Sequence, residues 1–472
     1  MMDAMDVEIL RTRGLGNSTY ILASDREALV VDPPRDAWRV RDVLERRGWR
    51  LRTVVETHVH NDYLSGALEL VASDGASIAA PARGRYAFDH RQVDDGDEVE
   101  LGGVRLRARA TPGHTPEHLA WEVHDVAATD GVATPAAVMT GGSLLVGSVG
   151  RTDLLGDAAT DELTAQQFAS LRALARLPDA VAVWPTHGSG SFCAAGPMHE
   201  EPTSTIGEER RSNPLFAIAE AGPFRDQLVA GFAPYPAYYR EMATLNRAGP
   251  AILGRRPDLP AIDPDAVSAA MAAGARVVDA RRRRVVAAGH IPGSLTIELG
   301  DTFASYVGWI LPVGTPLVLV LPDPVSESAE EAVDQLMRIG FDRLAGVLAG
   351  GVDAWAASGQ PLAEMPTVTA ASLADELRSD RPPVVVDVRD PIEWREEGRV
   401  EDAIELPLAS IIAGDHAALP AGVPVTIACR SGSRAAIAAG LIEARGYDVR
   451  VVDRGGIPDV AARLEAADSD DA

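Results

Sequence analysis

Residues 52–63 read Arg-Thr-Val-Val-Glu-Thr-His-Val-His-Asn-Asp-Tyr. A short β-type run ends at Glu56 and delivers His58, His60 and Asp62 into a loop. Two histidines two apart in a tight loop are able to converge on one ion. A carboxylate two residues further serves a second ion or acts as a base. Moving outward, more β-type runs appear: 20–23, 28–32, 104–108, 136–142 and 180–188. Helical patterns such as Asp-Ala-Trp-Arg-Val-Arg-Asp-Val-Leu (36–44) lie between them. Mixed short strands and amphipathic helices predict an αββα layout over residues 1–195. Residues 196–255 read instead as helices wrapping that domain, ending in a Pro/Gly-rich linker.

Further histidines fall at expected strand ends. His114 lies in Thr-Pro-Gly-His-Thr-Pro-Glu-His (111–118), and His187 in Trp-Pro-Thr-His-Gly (184–188). Taken singly, a loop histidine is most often only solvated. Four imidazoles and a carboxylate at such positions suit zinc or ferrous iron. THVHND, TPGHTPEH, GRTDL (150–154) and WPTHG resemble the metallo-β-lactamase superfamily. STIGEERRSNP (204–214) resembles the helical tail of its glyoxalase II and persulfide dioxygenase branch. The likeness covers roughly residues 5–250. It implies one metal site at His58, His60 and His114, and a second at Asp62, Tyr63 and His187. In the mononuclear-iron persulfide dioxygenases it implies ligands at His58, His114 and a TGD carboxylate. Two positions depart from the pattern. Tyr63 stands where the superfamily has histidine, and Gly142 stands where it has the TGD carboxylate. The expectation is therefore one ion, on His58, His60 and His114, with Asp62 and His187 nearby. Gly142→Asp is expected to tighten it.

The remainder repeats itself. Both copies run helix, strand ending in Val-Asp, loop, strand, helix, strand, Gly-Gly, over 256–362 and 367–466, with a tail at 467–472. VVDA (277–280) and VVVDVRD (384–390) are buried-strand runs ending in an acid, as in parallel sheets with sites at the strands' carboxyl ends. In the second copy, Pro-Val-Thr-Ile-Ala leads into Cys429-Arg430-Ser431-Gly432-Ser433-Arg434 and then a helical pattern. A cysteine at a strand–helix junction faces loop N–H groups and the positive helix end, and both favour the thiolate. Such a thiolate is suited to attack a sulfane sulfur and hold it as a persulfide. The expected catalytic groups are Cys429, Arg430 and Arg434. Ser431, Gly432 and Ser433 form the persulfide cradle. CRSGSR after VVVDVRDPIEW resembles a rhodanese active loop. Four residues lie between Cys429 and Arg434, not the five of a phosphatase loop. The first copy keeps GHIPGS (289–294) and GGVDAW (350–355), but Leu321 stands at the cysteine position. It resembles a rhodanese fold without a nucleophile, a spacer or docking domain.

Composition sets outer limits. The chain has 472 residues, 46% hydrophobic and 24% charged, which is ordinary globular composition spread over several domains. Asp and Glu number 69 against 44 basic residues, a net charge of −25, which argues against nucleic acid and anionic membrane as partners. Every basic residue is arginine, so Schiff-base and P-loop chemistry are excluded. Two distant cysteines, Cys193 and Cys429, give no disulfide framework. No apolar run suits a signal peptide or a membrane span, so a cytoplasmic protein is expected. The whole reads as an α/β multidomain protein of sulfur metabolism, open to homo-oligomerisation. Its expected substrates are a low-molecular-weight thiol persulfide or thiosulfate. A thioester hydrolase of glyoxalase II type and a metal-free scaffold are the alternatives.

Overall fold

The computed structural model describes residues 5–125 and 134–470. Contacts divide the chain into two compact units, Met1–Pro257 with Asp334–Gly340, and Asp258–Val333 with Phe341–Ala472. In the first unit two six-stranded sheets face each other. One runs in sequence order through Asp6–Thr12, Asn17–Ser24, Glu27–Val31, Arg50–Val55, Ser77–Pro81 and Arg91–Val93. The other orders Ser204–Thr205, Ala182–Pro185, Ala137–Gly141, Leu119–Asp125, Val104–Ala110 and Glu98–Leu101.

Strand alternation explains the layering. Tyr20, Leu22, Leu29 and Val31 point inward to meet Leu106, Trp121, Val123 and Met139 of the opposing sheet. Their neighbours Ile21, Ala23, Ala28 and Val30 point outward onto Val40, Val43, Leu44 and Leu70 of the covering helices. The second sheet's outer face packs on Leu171 and Leu174 of the helix Asp157–Leu174, and on Phe216, Phe224 and Leu228. This is the expected αββα sandwich.

The 196–255 segment closes over the histidine loop. Asn246 Nδ2 donates to the carbonyls of His60 (2.9 Å) and Tyr63 (2.8 Å), and Tyr238 Oη donates to that of Asp62 (3.0 Å). The STIGEERRSNP stretch is two capped helices. Thr205 accepts from the Glu208 N–H and Asn213 from the Phe216 N–H.

The second unit holds two five-stranded sheets of one topology. The first orders Ala261–Ile262, Leu344–Leu348, Leu317–Val320, Arg276–Asp279 and Leu295–Thr296. The second orders Thr367–Thr369, Val449–Arg454, Val425–Ala428, Val384–Asp387 and Ile404–Glu405. Every pairing in both is parallel, as the continuous Val/Leu/Ile runs predict. Each Val-Asp strand end binds the arginine two residues on: Asp279 takes Arg281, and Asp387 takes Arg389. The last helix, Ile457–Asp470, continues into the stretch expected as a tail. Among the described residues no helix is long and apolar enough to cross a membrane.

Candidate functional site

Four strand ends bring the first cluster together. His58 and His60 follow Arg50–Val55, His114 follows Val104–Ala110, Gly142 follows Ala137–Gly141, and His187 follows Ala182–Pro185. His58, His60, Asp62, His114 and His187 are all at most 1% exposed. Ligand atoms of His58, His114 and His187 all lie within 4.8 Å of one another. In each ring Nδ1 is held from behind. His58 Nδ1 meets Thr57 Oγ1 at 2.8 Å, and His114 Nδ1 meets the Arg151 carbonyl at 2.8 Å. His187 Nδ1 meets Asn17 Oδ1 at 2.9 Å and Asp62 Oδ2 at 3.2 Å. A proton held on Nδ1 leaves the Nε2 lone pair for an ion, the usual backing of a metal-bound histidine. The Nε2 atoms of His58 and His187 approach to 3.3 Å, and His114 Nε2 is buried with no hydrogen-bond partner. His58 and His114 favour the neutral ring. Burial opposes charge on His187 too, but the Asp62 carboxylate beside it outweighs burial and raises that ring's pKa, so an ion would have to displace a proton from His187. Three imidazoles with Nε2 turned to one point are a donor set that fits one zinc or iron ion. Burial, and then the neighbouring rings, push His58 well below its ordinary pKa. Burial first and then His187 take His114 down to about 3.

Two further groups converge as closely, Asp32 with His58 and His60, and His60 with Asp62 and His187. The expected residues His58, His60, His114, Asp62 and His187 are thus all brought together, though His58, His60 and His114 do not form a group by themselves. His60 turns Nε2 toward Glu56 Oε2 (3.1 Å), Asp32 Oδ1 (3.4 Å) and Tyr63 Oη (3.0 Å). Burial opposes charge on this ring, but Asp32 and then Glu56 outweigh it and raise its pKa to about 9. Asp62 stands behind His187, taking the Asn17 amide at 2.8 Å and leaving Oδ1 without a partner. Tyr63 stacks on His60 with ring centroids 4.3 Å apart.

Gly142 lies against the His114 ring. A Cβ built there would lie 2.2 Å from His114 Cδ2, so the missing carboxylate's place is partly filled by that ring. The Gly142 N–H donates to His118 Nε2 at 2.9 Å, while His118 Nδ1 faces Thr111 Oγ1 at 2.8 Å. Sequence reasoning passed over His118, although it is the second histidine of TPGHTPEH. It also passed over Asp32, at the end of the 28–32 run. Asp32 is buried, left-handed (φ 52°), and accepts from the Thr57 N–H and Oγ1 (2.7 Å each) and from Thr186 Oγ1. The signal was available: a buried strand ending in an acid, the feature read in the repeats. Cys193 is fully buried, and burial raises its thiol.

The second cluster lies in the last repeat. The strand Val425–Ala428 ends at Cys429, and the helix Ser433–Glu443 starts behind Gly432, whose φ is 95°. The Gly432 N–H donates to Cys429 Sγ at 3.1 Å. Cys429 is 1% exposed. The two arginines are engaged elsewhere. Arg430 is mostly exposed and pairs with Glu397 at 3.3 Å. Arg434 puts Nη1 and Nη2 on Glu393 (2.6 Å each), with Asp390 at 3.2 Å. Ser431 and Ser433 are exposed. In the first repeat Leu321 is buried at the matching strand end, and Pro322-Asp323-Pro324 replaces the loop.

Comparisons with known proteins agree with this architecture. A rhodanese-like domain model matches residues 263–358 and 369–461, and a metallo-beta-lactamase superfamily model matches 11–126. The mitochondrial persulfide dioxygenase ETHE1 of Homo sapiens is 30% identical over 211 residues, covering 43% of this chain and 72% of that protein. A hydroxyacylglutathione hydrolase of Methylobacillus flagellatus is 32% identical over 164 residues, 34% of this chain. The chain spans only 58% of that relative's length. A crystal structure of a metallo-beta-lactamase from Staphylococcus aureus subsp. aureus COL superposes with a TM-score of 0.65 at 26% identity. It covers 73% of this chain and 99% of that one. The chain belongs to the metallo-beta-lactamase superfamily, with two rhodanese-like domains following its N-terminal domain.

Proposed function

We propose that this chain is an enzyme of sulfur metabolism that carries sulfane sulfur as a persulfide on Cys429. The observation that supports this best is the Gly432 N–H held 3.1 Å from Cys429 Sγ at the start of a helix. In the reaction the Cys429 thiolate attacks the outer sulfur of thiosulfate. A new S–S bond forms, the old one breaks, and sulfite leaves with the bonding electron pair. The persulfide's negative outer sulfur is then stabilised by loop N–H groups and the helix end. An acceptor thiolate next attacks that outer sulfur and releases the Cys429 thiolate. Thiol persulfides enter by the same exchange, with a thiolate as leaving group.

In the N-terminal domain His58, His114 and His187 are the residues proposed to hold one ion, with Thr57, the Arg151 carbonyl, Asn17 and Asp62 fixing the ring tautomers. An ion there would supply Lewis acidity, and iron would add the redox chemistry by which dioxygen, taking four electrons, and water convert the outer sulfur of a thiol persulfide to sulfite and release the thiol. The relatives' names support two chemistries, persulfide oxidation and thioester hydrolysis.

Cys429→Ser is expected to abolish thiosulfate:thiol sulfurtransfer and the one-sulfur mass increment on that peptide. Cys193→Ser is expected to keep most of the transfer. Undiminished transfer in Cys429→Ser would sink the proposal. Metal analysis of protein purified without added metal separates the readings of the other domain. Iron favours oxidation, zinc favours hydrolysis, and no metal in wild type or in reconstituted protein leaves only the rhodanese chemistry.

A further inference from the structure

The repeat without a cysteine carries four consecutive arginines, Arg281 to Arg284. Arg281 closes on Asp279 at its own strand end, and Arg284 pairs with Asp453 at 2.9 Å. Arg283 reaches the loop of Cys429. Its Nη2 donates to the Ser431 carbonyl at 3.0 Å. Its Nη1 is held by Glu298 Oε2 at 2.7 Å, and Glu298 Oε1 accepts from the Arg283 backbone N–H at 2.7 Å. Glu298 Oε2 also lies 3.4 Å from Ser433 Oγ. Both carboxylate oxygens thus fix the arginine at its base and at its head.

The Ser431 carbonyl belongs to the same peptide unit as the Gly432 N–H, which donates to Cys429 Sγ at 3.1 Å. A peptide group is planar and conjugated. A cation drawing on its oxygen makes its N–H a stronger donor, and hydrogen bonds in series polarise one another. The close approach needs glycine at 432. A Cβ there would lie 2.9 Å from Arg283 Nε and 3.0 Å from the Val452 carbonyl, at a φ of 95° that L side chains avoid. The loop's own arginines supply no such contact, because Arg434 is engaged by Glu393 and Asp390, and Arg430 by Glu397.

We propose that Arg283, braced by Glu298, is a positioning residue for Cys429. It acts through the Ser431–Gly432 peptide, so the repeat that lacks a nucleophile stabilises the thiolate and persulfide of the repeat that has one. The inference rests on Cys429 being the sulfur carrier.

The test uses the full chain. Iodoacetamide alkylation is followed at the Cys429 peptide by mass spectrometry, beside thiosulfate:thiol sulfurtransfer kinetics and the unfolding midpoint. Arg283→Ala is expected to slow alkylation at neutral pH and lower kcat, each about three- to tenfold, the span of one hydrogen bond. The KM for thiosulfate and the unfolding midpoint should stay near wild type. Arg283→Lys should recover part of the loss, and Glu298→Gln should give a smaller one. If Arg283→Ala folds poorly, Arg283→Gln, which keeps a neutral donor, should still fall between Arg283→Lys and full loss. Wild-type alkylation and kcat in these variants would overturn the inference. So would a raised KM with kcat unchanged, which would make Arg283 a substrate-binding group. Sulfurtransfer surviving in Cys429→Ser would instead overturn the carrier assignment itself.

Discussion

At the scale of single residues, the N-terminal site is decided by which nitrogen of each ring is already engaged. The motifs show four histidines but not their tautomers, and the resemblance makes His60 a ligand. Its neighbours Asp32 and Glu56 reverse that, because two carboxylates face its Nε2. Asn17 and Asp62 hold the Nδ1 of His187 from behind, which supports the proposal that His187 is a ligand. Asn17 comes from a distant strand and carries no motif, which is why sequence reading did not reach it. Gly142 gives the sharpest prediction here. Read as sequence, restoring aspartate is a repair. In the folded protein the new Cβ meets His114 Cδ2 at 2.2 Å, and His114 is pinned by the Arg151 carbonyl. The ring cannot yield without losing that bond. Gly142→Asp is therefore expected to bind less metal than wild type, and His114→Ala less still. Metal content after reconstitution with ferrous iron or zinc measures both. A higher metal content in Gly142→Asp would mean that the ring swings freely.

At the scale of elements, the strand–loop–helix unit is what supports the proposal that Cys429 carries sulfur. Its outline was legible, because a Val/Ile run, a Gly-containing loop and an Ala-rich helix each follow from local chemistry. The first repeat keeps the strand Leu317–Val320 and the helix Val325–Arg338, yet its loop is Leu321-Pro322-Asp323-Pro324. Proline has no N–H. Two of the donors that would cradle a thiolate are therefore missing, not merely misplaced. Leu321→Cys in a Cys429→Ser chain is expected to give no thiosulfate sulfurtransfer above the Cys429→Ser background. With those donors gone the new thiol should also alkylate more slowly than Cys429. Clear transfer from Leu321→Cys would show that the N–H cradle is dispensable and that thiol placement alone suffices. The loop's arginines were less legible. Their number and position favour an anion, but Glu393, Asp390 and Glu397 lie upstream in sequence and only folding brings them onto Arg430 and Arg434.

At the scale of the molecule, the internal repeat was legible because two copies of one parallel-sheet grammar follow each other in the sequence. How the copies join was not, since it depends on single side chains. His290, in the GHIPG segment of the first repeat, places Nε2 3.2 Å from Glu443 Oε2 of the second. Burial works against a charged ring there, but the Glu443 hydrogen bond and charge outweigh it and raise His290 above its ordinary value. The sign of the pH effect follows. Below about 6.5 the imidazole is protonated in folded and unfolded chains alike, and the ion pair contributes fully. As pH rises through the raised folded value, the folded state gives up the proton and the contribution disappears. Glu443 is 29% exposed, so the pair is worth about 1 kcal/mol or less. Glu443→Gln should accordingly unfold at a lower temperature than wild type near pH ~6, and the gap should close near pH ~9. Thermal unfolding of both proteins across that range measures it. A gap that is constant with pH would assign His290 to neutral packing between the repeats, and a gap that widens with pH would reverse the direction of its titration.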